Sequence, residues 1–269
     1  MTKLLLLFLL LFPYQSNQNA TPLEVRVGRR ERPLAQLAYA RRLKRTMYGR
    51  PPEDRPFWTG LAVEAYQAVR EFHPDAPELG AEAAFRAGEL LRAAGKIEDA
   101  VQEFRVAAEL GRGTQFRPRA RLEIGHIERR SGNLRRALDQ YLGVASSAGS
   151  DPLQRDDAWL WAGRVWSAEG RLNDARRAWR GVAEADGHPL DRIQAFDELG
   201  LSWLEQGDDE RAFIELETCR EALGDQALEE TQLGVRVRSA LLRMRTQVAL
   251  QQEIGLKRKD KKVEKTLTR

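Results

Sequence analysis

Cysteine occurs once in the 269 residues, at Cys219. A lone thiol excludes an internal disulfide and any cysteine-built metal cluster. Its place among Phe213, Leu216 and Leu223 on an apolar helix face fits a small buried core residue. Histidine is almost as scarce: His73, His126 and His188 lie far apart without ligand spacing, so neither a metal site nor a cofactor is expected. Lysine is nearly confined to one end, with five of the eight within residues 257–269, while the rest of the chain relies on arginine. The sequence has no GxSxG, no HExxH, no phosphate-binding P-loop and no dinucleotide-type glycine cluster, so no catalytic constellation is expected. GRGTQ (111–115) reads as a linker, and Asp208, Asp209 and Glu210 stand at a helix start, where acids complement the dipole.

What is present describes a globular chain, 42% hydrophobic and 31% charged. Its net charge of +4 is unevenly spread. Residues 24–50 carry +7, residues 51–256 carry −9 and residues 257–269 carry +5. The body is therefore acidic, and the basic pI of about 9.3 comes from the ends. That pI does not imply nucleic-acid binding by the body.

The N-terminus combines Lys3, an apolar run Leu4–Phe12, the helix-ending Pro13 and the small Ala20. Nine apolar residues fall well short of the roughly 20 a membrane-spanning helix needs. A secretory signal over residues 1–20 is expected, which places the mature chain in the periplasm or outside the cell. Gln18 stands where a small residue normally precedes the cut, so an uncleaved, membrane-associated anchor is the alternative. No cysteine follows the run, which excludes a lipoprotein signal.

Internal similarity dominates the remainder. Gly95, Gly132, Gly170 and Gly207 recur at spacings of 37, 38 and 37, as do Gly88, Gly125, Gly163 and Gly200, and Ala100, Ala137, Ala175 and Ala212. Four residues after each alanine stands Phe104, Tyr141, Trp179 or Leu216. Each unit reads as two amphipathic helices joined at the first-named glycine, which can adopt the left-handed conformation that ends a helix. Asn133, Asn173 and Asp208 follow as candidate caps, and Pro77, Pro118, Pro152 and Pro189 stand near helix starts. The second glycine set and the alanines permit close helix crossing, and the rings fill the space beside it. Four of the six tryptophans, Trp159, Trp161, Trp166 and Trp179, fall in one such unit. Trp161 alone fits no inward position and is left for another role.

This pattern of bulky residue, glycine, aromatic and alanine resembles the tetratricopeptide repeats. The resemblance implies an all-α right-handed solenoid with a C-terminal capping helix, non-catalytic and built for protein–protein contact. Residues 21–32 form a basic arm, 33–72 a degenerate first repeat, and 77–111, 115–147, 151–184 and 189–222 four full repeats. Residues 226–255 read as one capping helix and 256–269 as a basic disordered tail. The period exceeds the family's usual 34, a feature similar to exported bacterial members of the outer-membrane assembly lipoprotein and Tol-Pal-associated cell-division coordinator types. The early bulky position of the second unit holds Arg121, so that joint is expected to pack less well.

Such a solenoid offers a concave groove lined by its first helices. The periodicity points Arg119, His126, Arg129 and Arg130 of one repeat, Arg164 of the next, and Leu201 and Leu204 further on into that groove. The expected partner is a protein or peptide segment, acidic with an apolar anchor. The alternative is an anionic polymer or nucleic acid bound by the basic arm and tail. Weak contact of these ends with an anionic surface is compatible with either, and export disfavours nucleic acid.

Overall fold

The computed structural model describes residues 27–147 and 150–267. The apolar run and Ala20, on which the secretory reading rests, lie outside them. The described residues form eleven α-helices and no strand: α1 (Pro33–Tyr48), α2 (Arg55–Phe72), α3 (Pro77–Ala93), α4 (Ile97–Leu110), α5 (Phe116–Arg130), α6 (Leu134–Ala145), α7 (Pro152–Ala168), α8 (Leu172–Glu184), α9 (Pro189–Glu205), α10 (Asp209–Leu228) and α11 (Gln232–Leu267). One short 3-10 turn, Pro52–Asp54, precedes α2.

The helices pair as α1/α2, α3/α4, α5/α6, α7/α8 and α9/α10, and each pair stacks on the next. The turn glycines explain the pairing. Gly95, Gly132, Gly170 and Gly207 all have φ between 75° and 79°, a conformation glycine adopts without strain. At each turn the following N–H reaches back to the last helical turn, as Lys96 to Leu91, Asn133 to Glu128, Arg171 to Trp166 and Asp208 to Trp203, at 2.8–2.9 Å. This is the Schellman closure of a helix C-terminus.

Cap chemistry follows the expectation at one position of three. Asp208 accepts from the Arg211 N–H at 3.0 Å. Asn133 instead donates to Glu128 at 2.8 Å, and Asn173 lies inside α8, one residue past its start. Pro77, Pro152 and Pro189 begin their helices, whereas Pro118 sits within the first turn of α5.

The core runs through the stack as overlapping clusters, α1 to α5, α5 to α7 and α7 to α11. Phe104, Tyr141 and Trp179 are fully buried against the glycines of their partner helices. A Cβ on Gly88 would come within 2.8 Å of Phe104, and one on Gly125 within 2.7 Å of Tyr141. Gly163 meets the indole of Trp179 in the same way, and that indole donates to the Leu160 carbonyl at 3.2 Å. Gly200 differs: opposite the smaller Leu216 its nearest neighbour is 3.7 Å away.

Two expectations at the C-terminal end are corrected. The single helix expected from residue 226 is broken at residues 229–231, between α10 and α11. The break turns α11 back so that Val237, Ala240 and Met244 are buried against the last pair; a straight continuation would leave them in water. Arg238 secures the corner by donating to the Ala227 and Glu229 carbonyls, and the Thr231 hydroxyl accepts from the Gly234 N–H at 3.0 Å. In place of the disordered tail expected over residues 256–269, α11 continues to Leu267. Its lysines, glutamate and leucine are good helix formers, and no proline interrupts them.

Candidate functional site

First helices come together along their backbones in succession, α1 to α3, α3 to α5, α5 to α7 and α7 to α9, whereas successive second helices stand further apart and meet through long side chains such as Arg70–Glu103 and Arg180–Glu215. The first helices therefore form the inner wall of the curved stack. Ion pairs tie this wall together. Arg41–Glu82 (2.5 Å) and Lys44–Glu89 (3.6 Å) join α1 to α3, Arg92–Glu123 (3.4 Å) joins α3 to α5, and Arg164–Glu198 (2.5 Å) joins α7 to α9.

The joint between α5 and α7 is different. Among the described residues no ion pair crosses it, and its centre is the half-buried ring of Trp161. The Arg129 guanidinium lies 4.5 Å and that of Arg164 4.3 Å from the ring centroid, inside the range of cation–π attraction. His126 meets the same ring edge-on at 4.9 Å, and Tyr141 stacks on it at 6.3 Å. The Tyr141 hydroxyl and His126 Nδ1 are 2.9 Å apart. Among the described residues Arg129 Nε is buried without a hydrogen-bond partner, and neither Arg129 nor the exposed Arg130 has an ion pair.

Titration follows from this crowding. Burial, then the charges of Arg129, Arg130, Arg92 and Arg164, push His126 down to about 4. The imidazole is neutral at physiological pH and adds no charge to the groove. Burial also raises the Asp157 carboxyl above its usual range, against a hydrogen bond to Trp161 that pulls it down. Tyr141 is raised to about 12, chiefly by burial, so its hydroxyl stays protonated.

The seven residues singled out from the sequence fall into three groups. His126, Arg129 and Arg164 come together around Trp161, although Arg164 is already engaged by Glu198, and the exposed Arg130 lies close enough for its charge to act on His126 and Tyr141. Arg119 lies two turns earlier on α5, its guanidinium 4.7 Å from the Phe85 ring and 6.0 Å from Phe116. Leu201 and Leu204 sit on α9, one turn and two turns beyond Glu198, both half-buried, and Leu204 packs against the C-terminal core. Sequence reasoning did not pair Trp161 with its two arginines. Its signal was that it alone among the rings fits no packing position. No pattern marked the Tyr141 hydroxyl, because the same position serves packing in every unit. Among the described residues no group of three His, Cys, Asp or Glu could hold a metal, and Cys219 is fully buried.

No family model matches the sequence, and no curated protein does. Among solved structures, one of the MamA protein aligns with a TM-score of 0.51 at 18% identity, over 74% of this chain and 96% of that one. A structure of putative kinesin light chain TPR-like repeats from Podosopora anserina gives 0.50 at 14% identity, over 75% and 100%. At such identities the likeness concerns the fold. The chain is an all-α, right-handed solenoid of the tetratricopeptide type.

Proposed function

We propose that this protein is a non-catalytic scaffold that holds a short acidic segment of a partner protein against the α5–α7 joint of its groove. The observation that carries this reading is the gap in the ion-pair series. At every other junction of first helices a carboxylate answers a cation; here an indole takes the carboxylate's place, and Arg129 and Arg130 stand uncompensated. Guanidinium forks suit carboxylates, which they can grip through two parallel hydrogen bonds. Trp161 supplies a flat apolar platform beside them, and Arg119 extends the basic face toward α3. Leu201 offers an apolar contact on the far side of the Arg164–Glu198 pair.

The test is affinity capture from extracts of the native cell, with mass spectrometry of what is retained. Arg129→Glu with Arg130→Glu should lose the partner while leaving the helical circular dichroism and melting temperature nearly unchanged. Retention at wild-type affinity would remove this surface from consideration. The exported location belongs to the same proposal and rests on Lys3, Leu4–Phe12 and Ala20, and the kinship with exported bacterial repeat proteins, also proposed, rests on the repeat period of 37–38. N-terminal sequencing of the native protein should begin near Thr21; an intact Met1 in the cytosol would overturn it.

A second reading, contact with an anionic polymer or nucleic acid, draws support from the helical course of residues 257–267. A helix repeats its basic residues at fixed spacing along a surface, which a flexible tail does not.

A further inference from the structure

We infer that the protein carries a second, small-molecule site: a pocket for a phosphate-class oxyanion on the outer flank of α5, between α4 and α6. The cavity there measures about 290 Å³, near the lower end of small-molecule pockets, which begin at about 300 Å³. Arg105 and Arg112 approach it from α4 and the linker after it, Arg117 and Arg121 from α5, and Arg136 from α6. Arg117 and Arg121 lie one turn apart on a face that also carries Ile124 and Glu128. The groove residues Arg119, His126 and Arg129 occupy the opposite face of the same helix. The two sites therefore share α5 without sharing a side chain.

Arg121 is the centre of the argument. Its position is held by Ala84, Trp159 and Phe196 in the other repeats, and Phe196 is fully buried. A guanidinium has replaced a core-type residue at this one joint. Gly143 makes room for it: a Cβ there would stand 2.5 Å from the guanidinium carbon and nitrogens. Yet Arg121 bonds only neutral oxygens, the Gln140 side chain at 3.2 Å and the Gly143 carbonyl at 3.3 Å. Among the described residues no carboxylate pairs with any of the five arginines. A half-buried cation without a counter-charge is costly unless something supplies one.

The lining also states what that counter-ion is. Five arginines stand against three carboxylates, Glu109, Glu128 and Asp139, and Glu128 is already held by Asn133 at 2.8 Å. The excess of two positive charges matches a phosphomonoester, which carries roughly −1.5 to −2 near pH 7, better than it matches a monocarboxylate. The volume exceeds the roughly 30 Å³ share of one water about tenfold, leaving space for a small organic group beside the phosphate.

Calorimetric titration at low ionic strength with inorganic phosphate, phenyl phosphate and succinate tests the site on the full chain. Phosphate and phenyl phosphate should bind at one site each, and succinate at least tenfold more weakly. Arg121→Gln and Arg117→Ser should each weaken phosphate binding tenfold or more. The Arg117 side chain makes no hydrogen bond or ion pair among the described residues, so its loss should leave the melting temperature unchanged even if Arg121→Gln disturbs the fold. The groove variant Arg129→Glu with Arg130→Glu should bind phosphate as the wild type does. Tighter binding of phenyl phosphate identifies an ester as the ligand, and equal or tighter binding of inorganic phosphate identifies the free ion. Absence of saturable phosphate binding, succinate binding as tight as phosphate, or unchanged affinity in Arg117→Ser would overturn the site.

Discussion

Gly125 and Gly200 hold the same place in their repeats, yet the atoms opposite them differ. An alanine methyl at residue 125 would meet the Tyr141 ring at 2.7 Å, whereas at residue 200 the nearest atom is 3.7 Å away. Gly125→Ala should therefore cost about 1–3 kcal/mol through overpacking. Gly200→Ala should be neutral or gain up to about 1 kcal/mol, since alanine loses less chain entropy than glycine in a helix. Thermal melts of the two variants decide this, and equal losses would mean that the packing code does not distinguish the repeats. His126 gives a second test at this scale. Its folded value near 4 lies below the ordinary 6.5, so the unfolded chain takes up the proton first. The stability attached to the neutral imidazole is full above pH 6.5 and is lost as pH falls toward 4. His126→Gln should remove that loss, so the wild type's melting temperature should fall relative to the variant's between pH 7 and pH 4.5. Asp157, shifted the other way by burial, is present in both proteins and cancels from the difference. Parallel curves would show that His126 is not held neutral.

Between elements, the unit of stability is a pair of helices crossing at a glycine. In the α7/α8 pair the crossing is closed by Gly163, the fully buried Ala175 and the Trp179 indole. Ala175→Trp should force these helices apart and destabilise by about 1–3 kcal/mol or more. Trp161→Ala should cost less, because its ring is half-buried on the inner wall and not in the crossing. Paired melts that drop equally would place Trp161 in the structural core. Other joints use polar links in addition. Glu103 takes Arg70 and Gln67 of α2, and Glu215 takes Arg180 of α8 and the Trp203 indole of α9, both carboxylates being buried. Arg176 reaches from α8 to the Ser202 carbonyl at 2.6 Å while stacking 3.4 Å from the Trp203 ring centroid. Such links set the angle between successive pairs, and with it the shape of the groove.

For the molecule as a whole, each pair buries its surface mainly against its neighbours, so the two ends are the open faces of the stack. Helix α11 closes one of them with Val237, Ala240 and Met244 and continues to Leu267. Deleting residues 257–269 removes seven basic residues but none of these contacts. The melting temperature should stay within about 1 °C of wild type, because surface changes away from packing are usually within ±0.5 kcal/mol. Partner capture through the groove should persist. If the basic ends bind an anionic polymer, the same deletion should weaken heparin binding and flatten its salt dependence. Loss of partner capture together with heparin binding would favour the polymer reading over the groove.

Periodicity by itself determined the repeat register, the left-handed glycines and the aromatic-on-glycine crossings. These depend on neighbours close in sequence: a turn glycine, and an alanine and ring at fixed steps beyond it. Spacing of the same kind placed Arg119, His126, Arg129, Arg130 and Arg164 on one side of their helices. Which of those charges remain available was decided only by the tertiary structure. Arg164 is answered by Glu198, 34 positions along the chain, and Arg129 by Trp161 at 32. The neutral His126, the fold-back of α11 and the unpaired Arg121 opposite Gly143 have the same origin. Each depends on burial or on a partner from a neighbouring helix, and a helical period read along one strand of chain carries no record of what the next helix brings against it.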